Sequence, residues 1–247
     1  MKNTANKILA ILAHPDDETL FSGTIALLAD KNIPIQIVYA TSGDAGGDAT
    51  GQNLSGDALA VVREEETRDS LKILSLSTPP IFLKYHDGNL KNKLPELRKN
   101  ISKLINDFRP NIIVTFGPDG VSGHPDHIAI GAATDFVFDT KEDVEMLLHI
   151  VISETRTKIY NSVAENYLVE NAVSDKAINL KIDVEKYNDK RLNAAVAYKT
   201  QFTENDCKAI GELIEKAPYE EFIIARKRGM EVAYFDLLTP RMPGRSR

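Results

Sequence analysis

Five short apolar runs punctuate the chain: KILAILA from Lys7, IPIQIVYAT from Ile33, IFLKY from Ile81, NIIVTF from Asn111 and MLLHIVIS from Met146. Their length and β-branched content are those of buried strands. Helical patterning fills most of the gaps. ETLFSGTIALLADK sets Phe21, Thr24, Ile25 and Leu28 on one face, and a helix from Ala58 through ALAVVREEETRDSLKILS is expected to end before Pro79 and Pro80. PELRKNISKLINDFRP opens and closes on proline and sets Leu97, Ile101, Leu104, Ile105 and Phe108 on one face. Strands alternating with helices of this length predict an α/β, Rossmann-like three-layer fold, with a mostly parallel central sheet and helices on both faces. After residue 146 the pattern loosens. EFIIARK reads as a strand, and DVEKYNDKRLNAAVAYKTQF and ENDCKAIGELIEKA read as helices. No repeat and no linker rich in proline, glycine or serine divides the chain, so one domain is expected over 1–247, with 146–247 completing the fold and the outer substrate pocket.

In such a sheet ligands gather beyond the carboxyl ends of the strands. Four polar loops fall there: HPDDE after the first run, SGDAGGDATGQNLSGD after Thr41, HDG after Tyr85 and GPDGVSGHPDH after Phe116. Three of the 5 histidines, His14, His124 and His127, lie in these loops beside aspartates. Catalytic zinc commonly takes three protein ligands from histidine and carboxylate and leaves a position for water. His14, Asp17 and His127 supply such a set, with Pro15 stiffening the strand exit. Asp16 is left free to meet a water, and the second histidine of HPDH, His124, to meet the substrate. The competing reading makes Asp16 or Asp17 a helix cap that accepts amide hydrogen bonds. His149, inside MLLHIVIS, reads as a strand-face histidine.

Composition excludes other classes. A net charge of -6, from 36 acidic and 30 basic residues, leaves no concentrated positive footprint for nucleic acid. The basic RMPGRSR end reads as a solvated tail. Cys207 is the single cysteine, so no internal disulfide forms and a reducing compartment is expected. The apolar run after MKNTANK is too short for a membrane span and lacks a cleavage site, which predicts a soluble, cytoplasmic protein with no membrane partner. A homo-oligomer is compatible with the sequence.

AHPDDE together with TFGPDGVSGHPDH resembles the LmbE-like, or PIG-L, family of zinc-dependent N-acetylglucosamine deacetylases. The resemblance continues through TSGDAGG, REEE, HDG and, more weakly, RLNAAVAYKTQ, so it spans nearly the whole chain. It implies one Zn2+ per chain, or another divalent ion, held by His14, Asp17 and His127. It implies Asp16 as general base, His124 facing the developing oxyanion or the leaving amine, Asp126 orienting a histidine, and Arg63 near the polar end of the substrate. The implied reaction removes acetyl from an N-acetylglucosaminyl compound, a small soluble glycoside or related sugar, and releases acetate and an amine. Asp44, Asp48, His86 and Asp87 complete a polar rim suited to sugar hydroxyls. Tyr198 stands before KTQ where the family often carries histidine, a departure that bears on the outer pocket. The alternatives are an amidase for non-sugar N-acyl or thiol-conjugate substrates, a non-haem iron enzyme using the same donor types, and a metal-containing sugar-binding protein. A dinucleotide site is disfavoured, because the glycine-rich loop lacks G-x-G-x-x-G and carries aspartates that repel pyrophosphate.

Overall fold

The computed structural model of the chain describes residues 6–165 and 168–228, so the RMPGRSR end lies outside the described residues. Strand β1, Ile8–Leu12, is buried at every position, which is why its sequence shows no alternation. A 3-10 turn, Asp17–Phe21, leads into α1, Ser22–Asp30, and then to β2, Ile35–Thr41. Helix α2, Gly56–Ile73, strand β3, Ile81–Tyr85, and helix α3, Leu94–Phe108, follow. Next come β4, Ile112–Phe116, the single turn α4, Gly120–Gly123, helix α5, Pro125–Asp139, and β5, Met146–Ile150. The rest comprises α6, Glu154–Asn161, β6, Leu180–Asp183, α7, Asn188–Val196, α8, Glu204–Lys216, and β7, Tyr219–Lys227.

The seven strands lie in the order β3-β2-β1-β4-β5-β7-β6. All pairs from β3 to β5 are parallel, and β7 runs antiparallel to both β5 and β6. Helices α1 and α2 pack on α7, and α7 and α6 on α8, in one layer; α3 and α5 pack together in the other. This is the expected Rossmann-like arrangement. Strand order reverses between β1 and β4, with β2 and β3 added on one side and β4 and β5 on the other, and that switch point opens a crevice beyond their carboxyl ends.

Several elements depart from the sequence reading. Helix α2 ends at Ile73, with Ser75 in the left-handed region at φ 64°, well before the two prolines. Only Asn188–Val196 of the DVEKYNDKRLNAAVAYKTQF segment is α-helical, which leaves Tyr198 and Gln201 in a turn. Helix α6 and strand β6 were not anticipated. Cys207 is a free, half-buried thiol whose pKa is raised by burial and by Asp206 and Glu204. His149 sits on its strand with Nε2 2.9 Å from Asp135 Oδ1. Among the described residues, no helix is long and apolar enough to cross a membrane.

Candidate metal centre

The HPDDE turn leaves β1 through a residue few sequences tolerate in that conformation. Asp16 has φ 93° and ψ -24°, and its side chain caps no amide. Aspartate is among the side chains that enter the left-handed region at lower cost. The twist sends its neighbours apart. Asp17 folds back on the strand exit, and its Oδ2 accepts from the amides of Ala13 at 2.9 Å and His14 at 2.8 Å. The helix-cap reading of these aspartates therefore fails: Asp16 bonds no downstream amide, and Asp17 bonds upstream ones.

HPDH is a helix start. His124 is the N-cap of α5, with Nδ1 accepting from the Asp126 amide at 3.3 Å, and Pro125 follows at the first helical position. That places His127 in the first turn, stacked on Phe116 with ring centroids 3.9 Å apart. The Gly120 carbonyl lies 2.9 Å from His127 Nδ1. A carbonyl only accepts, so Nδ1 carries the proton and Nε2 the lone pair.

The two loops meet at His14. Its Nδ1 lies 3.2 Å from His127 Nε2, and His127 Nε2 lies 3.0 Å from Asp17 Oδ1. On its other side, His14 Nε2 faces Asp87 Oδ1 at 3.0 Å and Asp126 Oδ2 at 3.4 Å, two acceptors that fix the proton there. Two nitrogen lone pairs and a carboxylate thus point at one another, a repulsive set unless a cation lies between them. Ligand atoms on a tetrahedral ion with bonds of about 2.0 Å stand roughly 3.3 Å apart. The donor set fits a divalent ion. Candidate ligand atoms also cluster as His14, His124 and His127, and as His14, Asp87 and Asp126. His124 offers its Nδ1 to the helix amide, which distinguishes it from the other two rings.

Burial lowers the basicity of His14, but its hydrogen bonds to the Asp126 and Asp87 carboxylates and the charge of Asp17 outweigh it and hold the pKa up to about 10, so with no ion between the ligand atoms Nδ1 takes up a second proton, which a bound cation would displace. The same neighbourhood acts on Asp16. Burial pushes its carboxyl up, Arg63 pulls it down, and the charge of Asp17 adds to the rise, leaving a value of about 7. For His124, burial and the adjacent rings of His127 and His14 lower the pKa, so this ring is a neutral donor through Nε2.

A family model described as GlcNAc-PI de-N-acetylase, PIG-L, matches residues 9–138, the stretch from β1 through α5 that carries both histidine loops. The chain belongs to the PIG-L family. This family member is 30% identical over 206 residues to a protein of Bacillus anthracis named probable N-acetyl-alpha-D-glucosaminyl L-malate deacetylase 2, covering 82% of this chain and 84% of that one. It is 31% identical over 157 residues to the 1D-myo-inositol 2-acetamido-2-deoxy-alpha-D-glucopyranoside deacetylase of Rhodococcus erythropolis, covering 54% and 53% of the two. The N,N'-diacetylchitobiose deacetylase from Pyrococcus horikoshii shares the fold, with a TM-score of 0.67 at 21% identity over 96% of this chain and 88% of that one. So does GalB, the 4-carboxy-2-hydroxymuconate hydratase of Pseudomonas putida, at 0.69 and 13% over 92% and 98%. One fold accommodates both named activities, so the reaction must be argued from the site.

The remaining residues singled out from sequence spread over two clefts in this PIG-L family member. Arg63 is buried, and its Nη2 donates to Asp16 Oδ2 at 2.9 Å and to the Pro15 carbonyl at 2.6 Å. Asp44 and His86 bond each other and line a small separate cleft with Glu64 and Lys84. Asp87 turns inward against His14, and Asp126 accepts from the amides of Gly88 at 2.7 Å and Leu90 at 3.1 Å. Asp48 lines the main cavity near Gly46 and Gly47. Tyr198 does not line it. The side chain is fully buried and donates to Glu18 Oε1 at 2.6 Å, so the family departure at this position lies beneath the site. Glu18 itself, with Ser70 and Tyr39 as further donors, was not anticipated. Its place inside HPDDE was the available signal.

The cavity lined by His14, Asp17 and His127 measures about 730 Å3. Its lining joins polar residues, among them His14, Asp16, Asp87 and His124, to an apolar wall of Ile152, Tyr160, Phe202, Ile210 and Leu213 that the sequence reading did not foresee.

Proposed function

We propose that the protein is a metal-dependent N-deacetylase that hydrolyses the acetamide of an N-acetylglucosaminyl compound to acetate and a free amine. The observation that carries this reading is the convergence of His14 Nδ1, His127 Nε2 and Asp17 Oδ1, with the Asp16 carboxyl on the adjacent residue. His14, Asp17 and His127 would hold one divalent ion, and their two nitrogens and one oxygen suit zinc. When bound, such an ion supplies Lewis acidity toward the amide carbonyl and makes water easier to deprotonate. Asp16, with a pKa near neutrality, takes the proton of the attacking water and has it available for the departing amine. His124 Nε2–H donates toward the carbonyl oxygen as negative charge develops there. Asp126 and Asp87 hold the proton of His14 on Nε2, which keeps Nδ1 free for the metal.

The family supports the sugar assignment through its named relatives, which deacetylate glucosaminyl compounds bearing malate or inositol. The decisive experiment incubates the zinc-loaded protein with N-acetylglucosamine, its malate and inositol glycosides and simple N-acetyl amines, and quantifies acetate and primary amine together. Equal release of both from a glucosaminyl substrate, lost in Asp16→Asn, is the expected outcome. Asp16-dependent hydrolysis confined to non-sugar amides would transfer the reading to an amidase, the alternative that the apolar wall favours. A product formed without Asp16 would overturn both.

A further inference from the structure

Both acceptors that hold the His14 proton depend on one short turn. Asp87 presents Oδ1 to His14 Nε2 at 3.0 Å, and the amides of Gly88 and Leu90 donate to Asp126, the other acceptor, at 2.7 and 3.1 Å. The far end of that turn is fixed by Leu90, which is fully buried in the core. Its near end is gripped by Asp44, from the loop after β2. There Oδ1 accepts from the Asp87 amide at 2.9 Å, and Oδ2 pairs with His86 Nδ1. Strand β3 delivers the turn through a bulge. Tyr39 lies opposite Phe82 and Thr41 opposite Tyr85, so two steps on β2 face three on β3, and Lys84 takes φ 60° within the longer stretch. With regular pairing Lys84 would stand opposite Thr41, and the place that Asp87 holds would fall to His86. Bulges beside functional sites re-aim side chains in this way.

Asp44 lines the separate cleft beside Glu64 and Lys84, not the cavity that His14 lines, so its carboxylate is placed for the turn and not for a substrate at the metal. Its loop has a second arm. The adjacent Gly43 carbonyl accepts from Arg63 Nη1 at 3.3 Å, and Arg63 in turn holds Asp16. We propose that Asp44 is a positioning residue for the metal centre, acting through the Asp87 turn to keep the His14 proton on Nε2 and Nδ1 turned to the ion. Gly43 and Asp44 then tie the base and a metal ligand to one loop. The inference rests on the metal site of the deacetylase reading and adds to it a residue that touches neither ion nor substrate. Outer partners of a metal-bound histidine fix its tautomer and ring orientation, and their loss costs roughly 10- to 100-fold in metal affinity or activity.

The test measures Zn2+ affinity by competition with a chelator, a readout that needs no turnover. Asp44→Ala is expected to bind zinc roughly 10- to 100-fold more weakly than wild type, and Asp87→Ala likewise. In the double variant the loss is expected to fall well short of the product of the two single losses, because both act on the same ring. Asp44→Asn keeps an oxygen that accepts from the Asp87 amide and is expected to bind zinc close to wild type. Folding of each metal-free variant is checked by thermal melting, and Asp44→Ser, which withdraws the same acceptor, reads the loss where the alanine variant melts early. Wild-type zinc affinity without the acceptor, fully multiplicative losses in the double variant, or Asp44→Asn no better than Asp44→Ala each overturn the anchor. So does a raised KM at unchanged zinc affinity, which would put Asp44 against the substrate. His14→Ala is the control on the site itself: zinc retained there removes the metal site and the anchor with it, whereas zinc lost there but kept in Asp44→Ala removes the anchor alone. If zinc binding depends on Asp44 but no N-acetylated sugar is hydrolysed, the deacetylase reading falls and the anchor stands.

Discussion

Arg63 and Asp16 are joined at 2.9 Å, and the same guanidinium nitrogen donates at 2.6 Å to the carbonyl of Pro15, one residue before Asp16. A third bond, from Nη1 to the Gly43 carbonyl at 3.3 Å, fixes the fork from the other side. Gly43, at φ 70°, is required there, because a Cβ would lie 2.0 Å from Nη1. Arg63 therefore sets the position of the proposed base. Arg63→Lys keeps the charge but cannot make the three bonds, and turnover is expected to fall by roughly 10²-fold. Steady-state kinetics should show kcat changing more than KM, with metal content intact. A raised KM at wild-type kcat would move Arg63 to substrate binding.

Asp16→Asn separates proton transfer from geometry. Asparagine also enters the left-handed region readily, so the turn at φ 93° survives. Turnover should drop by roughly 10²- to 10⁴-fold, the usual contribution of a positioned acid or base, while the metal stays. His124→Ala should likewise retain the metal and lose turnover. Loss of the metal in that variant would exchange the roles given to His124 and His127, whose ring centroids stand 4.7 Å apart.

One divalent ion per chain should be found by elemental analysis after mild purification, and His14→Ala or Asp17→Ala should lose it. The same ligands predict a stability change on chelation. An ion present at a hundred times its Kd stabilises by about 2.7 kcal/mol. At roughly 2–4 °C per kcal/mol for a chain of this size, its removal should lower Tm by several degrees. An unchanged Tm and full metal occupancy in both variants would remove this site.

The sequence was most legible where burial is uniform. Strands β1, β2, β4 and β5 are fully or largely enclosed, and each shows as an apolar run; β3, a half-buried edge strand, still carries a short apolar run, whereas β6 is four residues long with alternating exposure and gave no comparable signal. The direction of β7 depends on pairing with β5 and β6, which no local pattern encodes. The proposed metal ligands were legible because two short motifs hold them. Asp87 was harder, since HDG is a turn with Gly88 at φ 79°, and its contact with His14 exists only once β3 and β1 end on the same side of the sheet, with β2 between them.

Tyr198→Phe tests the layer beneath the site. Glu18 is fully buried and accepts from Tyr198 at 2.6 Å, Ser70 at 2.7 Å and Tyr39 at 2.9 Å. Removing the Tyr198 hydroxyl deprives a buried carboxyl of one donor, which should cost about 1–3 kcal/mol in urea unfolding. Burial and the charge of Glu18 raise the Tyr198 pKa well above 10, so the folded state favours the neutral phenol. The stability this phenol contributes is full below its unfolded pKa of about 10 and declines as pH rises above it. The gap between wild type and Tyr198→Phe should therefore narrow above pH ~10. Because the side chain does not reach the cavity, KM ratios among substrates should be unchanged in the variant. A shifted substrate preference at unchanged stability would place Tyr198 in recognition and sink its role as a donor to Glu18.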